Sequence, residues 1–322
     1  MDNTSPKFYK ALKTLVHQGR SGSSDRRHRI PSAISGSRNV IQPVQSKLFA
    51  VIGHPVAHSF SPLMMNAVFS RLDMPAVYVA LDVDDLEKDL QTLAAVGFHG
   101  LSITIPHKET VLGLVSKVDE TASAIGAVNT LRLGDGGWEG RNTDWIGAVE
   151  ALKCKAPLHS RKALVIGAGG AARAVVYGLK REGASVTVTN RTRQRGEALA
   201  DSFGCDFAPM ETLSAPLEQT GYEIIVQCTS VGLGGREKLL PVSDALLRPG
   251  TIVMDIVYRP AWTPLLHRAA QRGCHVVKGY EMLLHQGIAQ LEWWLGQSLP
   301  RAEGVQIMRN ALEKALSDEA GH

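Results

Sequence analysis

Apolar residues along this chain form short runs that alternate with segments of helical spacing. Short apolar runs predict buried strands, whereas apolar residues three and four positions apart predict amphipathic helices. Ser61 is expected to cap the first helix, with Pro62 in its first turn. The regular alternation predicts an α/β domain. Its strands are predicted at 48–53, 76–81, 98–105 and 127–131, and its helices at 62–72, 84–94, about 108–115 and 119–125.

A second alternating series begins at Ala163 and predicts a second α/β domain. A helix at 145–152 is expected to connect the two domains, and the last two helices, at 280–295 and 301–316, are expected to fold back on the first. One domain is therefore assigned to 47–143 plus about 283–316, and the other to 144–282. The second series has strands at 164–166, 186–189, 224–227, 252–255 and 275–278 and helices at 171–181, 195–201 and 263–272.

Residues 1–46 differ in composition from the rest of the chain. They are rich in Ser, Arg and Gly, and the chain up to residue 47 carries a net charge of +7, against +4 for all 322 residues. We predict a basic, disordered extension, with a targeting or binding arm as the alternative. The remainder carries −3 and is mildly acidic. This balance argues against nucleic acid as a partner of the folded part.

Composition excludes further classes of protein. No apolar run approaches the roughly 20 residues that a membrane-spanning helix needs, so no membrane partner is expected. The histidines lack the spacing of metal ligands, so no metal site is expected. The cysteines have no paired spacing, which indicates reduced thiols and a cytoplasmic protein. They are Cys154, Cys205, Cys228 and Cys274.

A glycine-rich loop follows the first strand of the second series. Glycines are costly to order, and they are favoured where the backbone must turn tightly or approach a ligand. The spacing of Gly167, Gly169 and Ala172 fits the fingerprint of a dinucleotide-binding loop, which holds a pyrophosphate at a helix N-terminus. We therefore predict a Rossmann-type domain. The loop is Gly167-Ala168-Gly169-Gly170-Ala171-Ala172.

The end of the next strand indicates which dinucleotide binds. An acidic residue that binds the ribose of NAD usually stands about 20 residues after the glycines. Here the sequence is Asn190-Arg191-Thr192-Arg193-Gln194-Arg195. Guanidinium groups match a phosphate, so the sequence predicts NADP, with Arg191 and Arg195 ahead of Arg193 as ligands. The alternative is a solvated basic loop.

Candidate chemistry also lies in the first domain. Ser59 and Ser61 place two hydroxyl donors near a helix start, which suits a carboxylate, although Ser61 is equally explained as a cap. Lys108 and Asp144 could form an acid–base pair if the lysine is partly desolvated, although each alone is more typical of a surface charge. His107 is an alternative proton carrier.

Several motifs in order resemble the shikimate dehydrogenase family, over about residues 47–316. The resemblance rests on Gly53-His54-Pro55-Val56-Ala57-His58-Ser59-Phe60-Ser61-Pro62, Thr104-Ile105-Pro106-His107-Lys108-Glu109, Gly126-Ala127-Val128-Asn129-Thr130 and Asn142-Thr143-Asp144. It continues through the glycine loop and through Asn190-Arg191-Thr192, Thr229-Ser230-Val231-Gly232, Asp255-Ile256-Val257-Tyr258, Thr263-Pro264-Leu265 and Gly279-Tyr280-Glu281-Met282-Leu283 with Gln286.

The resemblance implies NADPH-dependent reduction of 3-dehydroshikimate to shikimate, in a cleft between a substrate-binding and an NADP-binding domain. Lys108 would protonate the carbonyl oxygen while Asp144 orients it. The substrate carboxylate would bind Ser59, Ser61 and Tyr258, and the ring Thr104, Asn129, Asp144 and Gln286. The cofactor would bind the glycine loop, Asn190, Arg191, Thr192, Arg195 and Thr229, with its nicotinamide near Ile256, Val257, Gly279 and Met282.

Three residues depart from the family pattern. Ser102 stands where many members carry Asn, Ile256 where Met is frequent, and the bulky Phe60 separates the two serines. Two other functions stay open. One is a quinate or quinate/shikimate dehydrogenase using NAD or NADP, against which Ser61 and the arginines argue. The other is a non-catalytic sensor of ligand or NADPH, against which Lys108 and Asp144 argue. A monomer or a homodimer is expected.

Overall fold

The computed structural model describes residues 46–214, 221–235, 240–241 and 243–320. The predicted basic extension therefore lies outside the described residues, apart from its last residue. The strands are β1 Lys47–Gly53, β2 Ala76–Asp82, β3 Phe98–Ile103, β4 Lys117–Val118, β5 Thr130–Gly134, β6 Gly137–Arg141, β7 Lys162–Ile166, β8 Ser185–Thr189, β9 Asp206–Phe207, β10 Ile224–Gln227, β11 Ile252–Asp255 and β12 His275–Val277.

The α-helices alternate with these strands, and short 3₁₀ turns lie at Thr110–Gly113, Met210–Ser214, Leu233–Gly235 and Asp244–Leu246. Among the described residues, no helix has both the length and the apolar character needed to cross a membrane. The helices are α1 Ser61–Arg71, α2 Leu86–Val96, α3 Glu120–Ile125, α4 Asp144–Lys153, α5 Gly170–Arg181, α6 Arg193–Phe203, α7 Pro264–Gln271, α8 Gly279–Leu295 and α9 Arg301–Ala320.

The first sheet has the strand order β2-β1-β3-β5-β6-β4. Strand β1 pairs in parallel with β2 and β3, and β5 and β6 form an antiparallel hairpin. One core cluster joins residues of β1 and β2 to α1, α8 and α9. The C-terminal helices therefore complete the core of the N-terminal sheet, because the apolar face of β1 packs against them.

The second sheet is parallel throughout and has the order β12-β11-β10-β7-β8-β9. This is the 3-2-1-4-5-6 order of a dinucleotide-binding sheet, and its order reverses between β7 and β10. Ligands bind such sheets in the crevice beyond the carboxyl ends of the strands at that reversal. The glycine loop follows β7 and lies at this position.

Helices α4 and α8 connect the two sheets and pack closely together. Their contact depends on Gly147, where a Cβ atom would lie 2.5 Å from the Met282 carbonyl oxygen and 2.9 Å from the Gln286 Cβ. Real Cβ atoms do not approach other atoms this closely, so only glycine fits here. The packing brings Asp144 of α4 and Gln286 of α8 into one region.

The structure corrects two local predictions. No α-helix forms at 108–115, because the Lys108 carbonyl accepts a hydrogen bond from Val128 N (2.8 Å) and only a 3₁₀ turn follows. Ser61 is not the cap of α1, which begins one residue earlier than predicted, with Phe60 at the cap position. Instead, the Ser59 hydroxyl accepts a bond from Ser61 N at 3.2 Å.

Candidate active site

Lys108 and Asp144 form a close ion pair between the two sheets. Lys108 lies in the loop after β3, and Asp144 is the first residue of α4, where the helix dipole favours a negative charge. Lys108 Nζ is 2.5 Å from Asp144 Oδ2, and the side chains are only 17% and 6% exposed. The carboxylate therefore holds the ammonium in one position, in surroundings where water screens their attraction weakly.

The second oxygen of Asp144 is held by Asn129. Asn129 Nδ2 donates to Asp144 Oδ1 at 2.8 Å, and Asn129 Oδ1 accepts from Thr143 N at 2.7 Å. A backbone N–H can only donate, so this contact fixes which end of the amide faces Asp144. Asn129 Nδ2 also lies 3.2 Å from Gln286 Oε1. Lys108, Asp144, Asn129 and Gln286 therefore share one buried network.

Ser59, Ser61 and Tyr258 form a second polar group. Ser59 is a polar neighbour of the Tyr258 hydroxyl and lowers its pKa, but burial has the larger effect and raises the pKa of Tyr258. Tyr258 and Phe60 have ring centroids 5.9 Å apart. The sequence did not indicate what Phe60 packs against. In the structure it packs against Tyr258, which follows Val257 in the second domain.

Arg259 links this second group across the cleft. Its guanidinium carbon lies 5.4 Å from the Phe60 ring centroid, and Nη1 donates to the His58 carbonyl at 3.3 Å. A planar guanidinium over an aromatic face gains cation–π attraction. The loop that carries both serines is therefore held by a residue of the loop that follows β11 in the other sheet.

Thr104 follows β3 directly. In the chain it comes after Ser61 of the second polar group and before Lys108 of the first. Its amide donates to the Ile52 carbonyl at 3.0 Å. Its methyl group would lie 2.4 Å from a Cβ at Gly53, so glycine at 53 lets the two loops approach.

The glycine loop lies directly against the Lys108 loop. A Cβ at Gly170 would be 3.0 Å from the Cβ of Lys108 and 3.4 Å from that of Ala127. Gly167 has φ +118°, a backbone conformation that other residues rarely adopt. Gly169 is open, with no atom within 4 Å of an added Cβ. The loop therefore offers free backbone beside the Lys108–Asp144 ion pair, as a bound pyrophosphate would require.

The predicted arginines lie at the end of β8 and in the first turn of α6. Arg191 and Arg195 are exposed, and Arg193 pairs with Glu197 on the same helix at 2.8 Å. Thr192 caps α6 without a side-chain bond, and Asn190 Nδ2 donates to the Thr192 carbonyl at 2.8 Å. The exposed guanidinium groups of Arg191 and Arg195 are suited to binding a phosphate, whereas the guanidinium group of Arg193 is paired with Glu197.

The opposite side of this crevice is built from close backbone contacts. A Cβ at Gly279 would lie 2.5–2.7 Å from the carbonyl oxygens of 255, 256 and 257, so glycine is required there. Met282 is buried one turn later, and Ile256 is half-buried. The Thr229 backbone N–H donates to Gln227 Oε1 at 2.5 Å, which fixes the loop after β10.

The structure bears on two possible roles of histidines, that of proton carrier and that of metal ligand. His107 is buried and its Nε2 donates to the Val83 carbonyl at 2.8 Å, so this nitrogen is engaged away from Lys108. His54, Asp82 and Asp84 bring one ligand atom each within 4.8 Å of one another at the surface. All three are exposed, and the absence of a metal site stays a prediction.

Sequence reasoning missed the buried polar residues that support these groups. Tyr78, Thr130 and Gln290 lie in apolar stretches, where a lone polar residue could have been noticed. Ser102 was noticed only as a departure, and its hydroxyl lies within 2.8 Å of Gln290 Oε1.

Three family models match successive parts of the chain. The "Shikimate dehydrogenase substrate binding domain" matches residues 51–131, and "Shikimate / quinate 5-dehydrogenase" matches 150–233. The "Shikimate 5'-dehydrogenase C-terminal domain" matches 279–313. Together they cover more than half of the chain, in the order in which the two sheets and the last helices occur.

Similar proteins match nearly over their whole length. The shikimate dehydrogenase (NADP(+)) of Syntrophobacter fumaroxidans is 51% identical over 280 residues, 87% of this chain and 98% of its own. The crystal structure of shikimate dehydrogenase from Aquifex aeolicus is 35% identical, with TM-score 0.76, over 84% and 99% of the two chains. The Thermus thermophilus shikimate 5-dehydrogenase in complex with NADP(H) and shikimate is 37% identical, with TM-score 0.74, over 82% and 99%.

Proposed function

Because this chain belongs to the shikimate dehydrogenase family, we propose that it catalyses the reversible, NADP-dependent reduction of 3-dehydroshikimate to shikimate, a step of aromatic amino acid biosynthesis. The observation that carries the proposal is the buried Lys108–Asp144 pair lying against the glycine loop. A carbonyl reduction needs a hydride on one side of the carbon and a proton donor at the oxygen. This arrangement offers both positions within one cleft.

Lys108 is the proton donor in this proposal. NADPH supplies the hydride when it is bound. Lys108 Nζ gives a proton to the carbonyl oxygen as negative charge develops there, and takes it back in the reverse direction. Asp144, held through its other oxygen by Asn129, keeps Nζ in place. Proton transfer from a fixed group avoids reorganisation during the reaction.

The substrate contacts follow from the two polar groups. The hydroxyls of Ser59, Ser61 and Tyr258 bind the carboxylate, since an anion needs donors. Asn129 and Gln286 sit in the Asp144 network and bind the ring hydroxyls, together with Thr104. Ser59 and Ser61 follow β1, Thr104 follows β3 and Asn129 precedes β5, so the first sheet sets the separation of these four residues.

The cofactor contacts lie on the second sheet. Gly167, Ala168, Gly169, Gly170, Ala171 and Ala172 hold the pyrophosphate at the start of α5. Arg191 and Arg195, with Asn190 and Thr192, hold the 2′-phosphate. Thr229, Ile256, Gly279 and Met282 line the nicotinamide. The residue set fits NADP because the open backbone at Gly169 and the exposed guanidinium groups suit its phosphates.

Steady-state rates with shikimate and with quinate, each with NADP and with NAD, test this proposal. We expect shikimate with NADP to have the highest kcat/KM. Preference for quinate with NAD would contradict it and would favour the quinate enzyme, which the name of one matching family model includes. Binding of NADPH without turnover of either substrate would favour the sensor.

Two finer points belong to the proposal. We place the enzyme in the cytoplasm, because its four cysteines have no paired spacing. We expect the protein to be a monomer or a homodimer. A measurement of the mass of the full chain in solution distinguishes the two states. The same measurement with residues 1–46 removed tests whether the basic extension affects assembly or activity.

A further inference from the structure

A buried chain of polar side chains connects the carboxylate end of the site with the Asp144 end. The Tyr78 hydroxyl donates to Ser102 Oγ at 2.6 Å, and Ser102 Oγ donates to Gln290 Oε1 at 2.8 Å. Gln290 Nε2 donates to Thr130 Oγ1 at 3.0 Å and to the Asn129 carbonyl at 3.2 Å. We call Tyr78, Ser102, Gln290 and Thr130 the polar relay.

Both ends of the polar relay touch residues of the proposed site. At one end, Ser61 is a polar neighbour of the Tyr78 hydroxyl, whose pKa it lowers. At the other, the Thr130 hydroxyl donates to Asn129 Oδ1 at 2.7 Å, and Asn129 Nδ2 donates to Asp144. The relay therefore joins a predicted carboxylate ligand to the residue that holds Asp144.

Gln290 fixes the direction of the hydrogen bonds. The Asn129 carbonyl can only accept, so the amide nitrogen of Gln290 must face it and the amide oxygen must face Ser102. The Ser102 hydroxyl must then donate a hydrogen bond to Gln290 and accept one from Tyr78. One amide on α8 thus sets the orientation of hydroxyls on β2 and β3.

The relay is fully buried, which makes its polar atoms costly unless each is paired. Tyr78 and Gln290 are 1% exposed, and burial raises the pKa of Tyr78 well above its usual range. Breaking one link would leave a buried donor or acceptor without a partner. Such a network resists small displacements of the three strands and of α8, because any shift would lengthen several bonds together.

We propose that Gln290 is a positioning residue of this enzyme, which, through the polar relay, fixes the distance between the carboxylate-binding Ser61 and the Asn129–Asp144 pair. The inference rests on the proposed function. Ser102 is part of the same device. Its hydroxyl accepts a hydrogen bond from Tyr78 and donates one to the Gln290 amide oxygen, so it connects β2 with α8.

The two arms of the relay serve different steps, and this gives the test. Tyr78→Phe and Ser102→Ala loosen the Ser61 arm and should raise the KM for shikimate about fivefold with kcat changed less than twofold, the size expected for one lost hydrogen bond. Thr130→Val loosens the Asn129 arm and should lower kcat about fivefold with a smaller change in KM. Gln290→Met removes both arms, so it should raise the KM for shikimate and also lower kcat.

Ile288→Val is the matched control, a buried apolar change on the same helix outside the relay. It should lower Tm while both kinetic constants stay within about twofold of wild type. The KM for NADP should stay unchanged in every variant, since the relay does not reach the second sheet. If Gln290→Met does not fold, Tyr78→Phe and Ser102→Ala decide the question through the KM.

Three results would overturn the inference. One is a folded Gln290→Met protein with wild-type KM and kcat. The second is a KM for shikimate that stays constant or falls in Tyr78→Phe and Ser102→Ala. The third is an equal rise in the KM values for shikimate and NADP, which a general folding defect produces. Absence of turnover in the wild-type protein would instead overturn the proposed function, and calorimetric binding of shikimate to wild type and variants would then test the relay by itself.

Discussion

Lys108 and Asp144 lie 36 residues apart in the chain, and yet Lys108 Nζ and Asp144 Oδ2 are 2.5 Å apart. The pair bridges the loop after β3 and the start of the helix that leads into the second sheet. Because Asn129 occupies the other carboxylate oxygen, Asp144 has its two strong contacts already in place. The acid–base pair is therefore assembled by the fold, before any substrate contributes a contact.

The arginines at the end of β8 should determine cofactor preference. Replacing Arg191 and Arg195 together by Ala should raise the KM for NADP about a hundredfold, since each phosphate contact contributes about 1.5–3 kcal/mol, and should leave the KM for NAD nearly unchanged. Arg193→Ala is the control, because Arg193 pairs with Glu197. Initial rates with both cofactors check this. Equal losses with NADP and NAD would contradict the assignment.

Gly169 should matter for cofactor binding and not for folding. Gly169 has ordinary extended backbone and open space around an added Cβ. Gly169→Ala should therefore leave Tm unchanged and weaken NADPH binding at least about tenfold, since a methyl group would stand where the pyrophosphate approaches. NADPH fluorescence titration measures the affinity. A folded variant that binds NADPH normally would show that the pyrophosphate lies elsewhere.

Arg259 should support substrate binding from the second sheet. Arg259→Ala removes the bond to the His58 carbonyl and the contact over Phe60, so the serine loop loses a support. The KM for shikimate should rise about tenfold, which corresponds to the loss of one hydrogen bond and one cation–π contact. Arg259→Lys keeps the charge but not the planar fork, and it should restore only part of the affinity. Unchanged KM in Arg259→Ala would contradict this.

Asp255 should make stability depend on pH. Burial raises the pKa of Asp255 from 3.8 to about 6, against hydrogen bonds from Thr263 and the Val257 amide. Between these values the folded protein holds a proton that the unfolded chain has lost. The free energy of unfolding should therefore fall by about 3 kcal/mol as pH rises from well below 4 to above 6, and about 2 kcal/mol of this fall lies between about pH 4.5 and pH 7.

Urea unfolding at about pH 4.5 and about pH 7 measures this contribution. The Asp255→Asn side chain cannot ionise, so the variant's free energy of unfolding should lack this part of the pH dependence. The difference in unfolding free energy between wild type and variant should therefore change between the two pH values. The amide still accepts from Val257 N, which limits the cost of the substitution itself. Parallel pH profiles for both proteins would contradict the raised pKa.

Local patterns in the sequence were enough for most of the fold. The apolar runs predicted nine of the twelve strands in the described residues but not β4, β6 and β9. The glycine loop and arginines pointed to an NADP-binding domain, because each signal lies within a few consecutive residues. The predicted helix from Lys108 is wrong because the N–H of a residue distant in sequence, Val128 just before β5, donates to the Lys108 carbonyl.

Contacts between distant residues could not be predicted in this way. Ser102 and Gln290 are 188 residues apart, and Arg259 meets the His58 carbonyl across 201 residues. Neither pair leaves a periodic signal, since each partner looks locally like an isolated polar residue. For the same reason the prediction that Ser61 caps the first helix is wrong: Phe60 takes the cap position, and Ser61 lies near the Tyr78 hydroxyl of β2.

The most direct test of the account is the turnover of Lys108→Ala with shikimate and NADP, compared with Lys117→Ala as an exposed control. Loss of the proton donor should lower kcat by about 10²–10⁴-fold, while Tm and NADPH affinity stay near wild type. Lys117→Ala should behave as wild type in all three measurements. A folded Lys108→Ala enzyme with near-normal kcat would contradict the central claim that Lys108 transfers the proton.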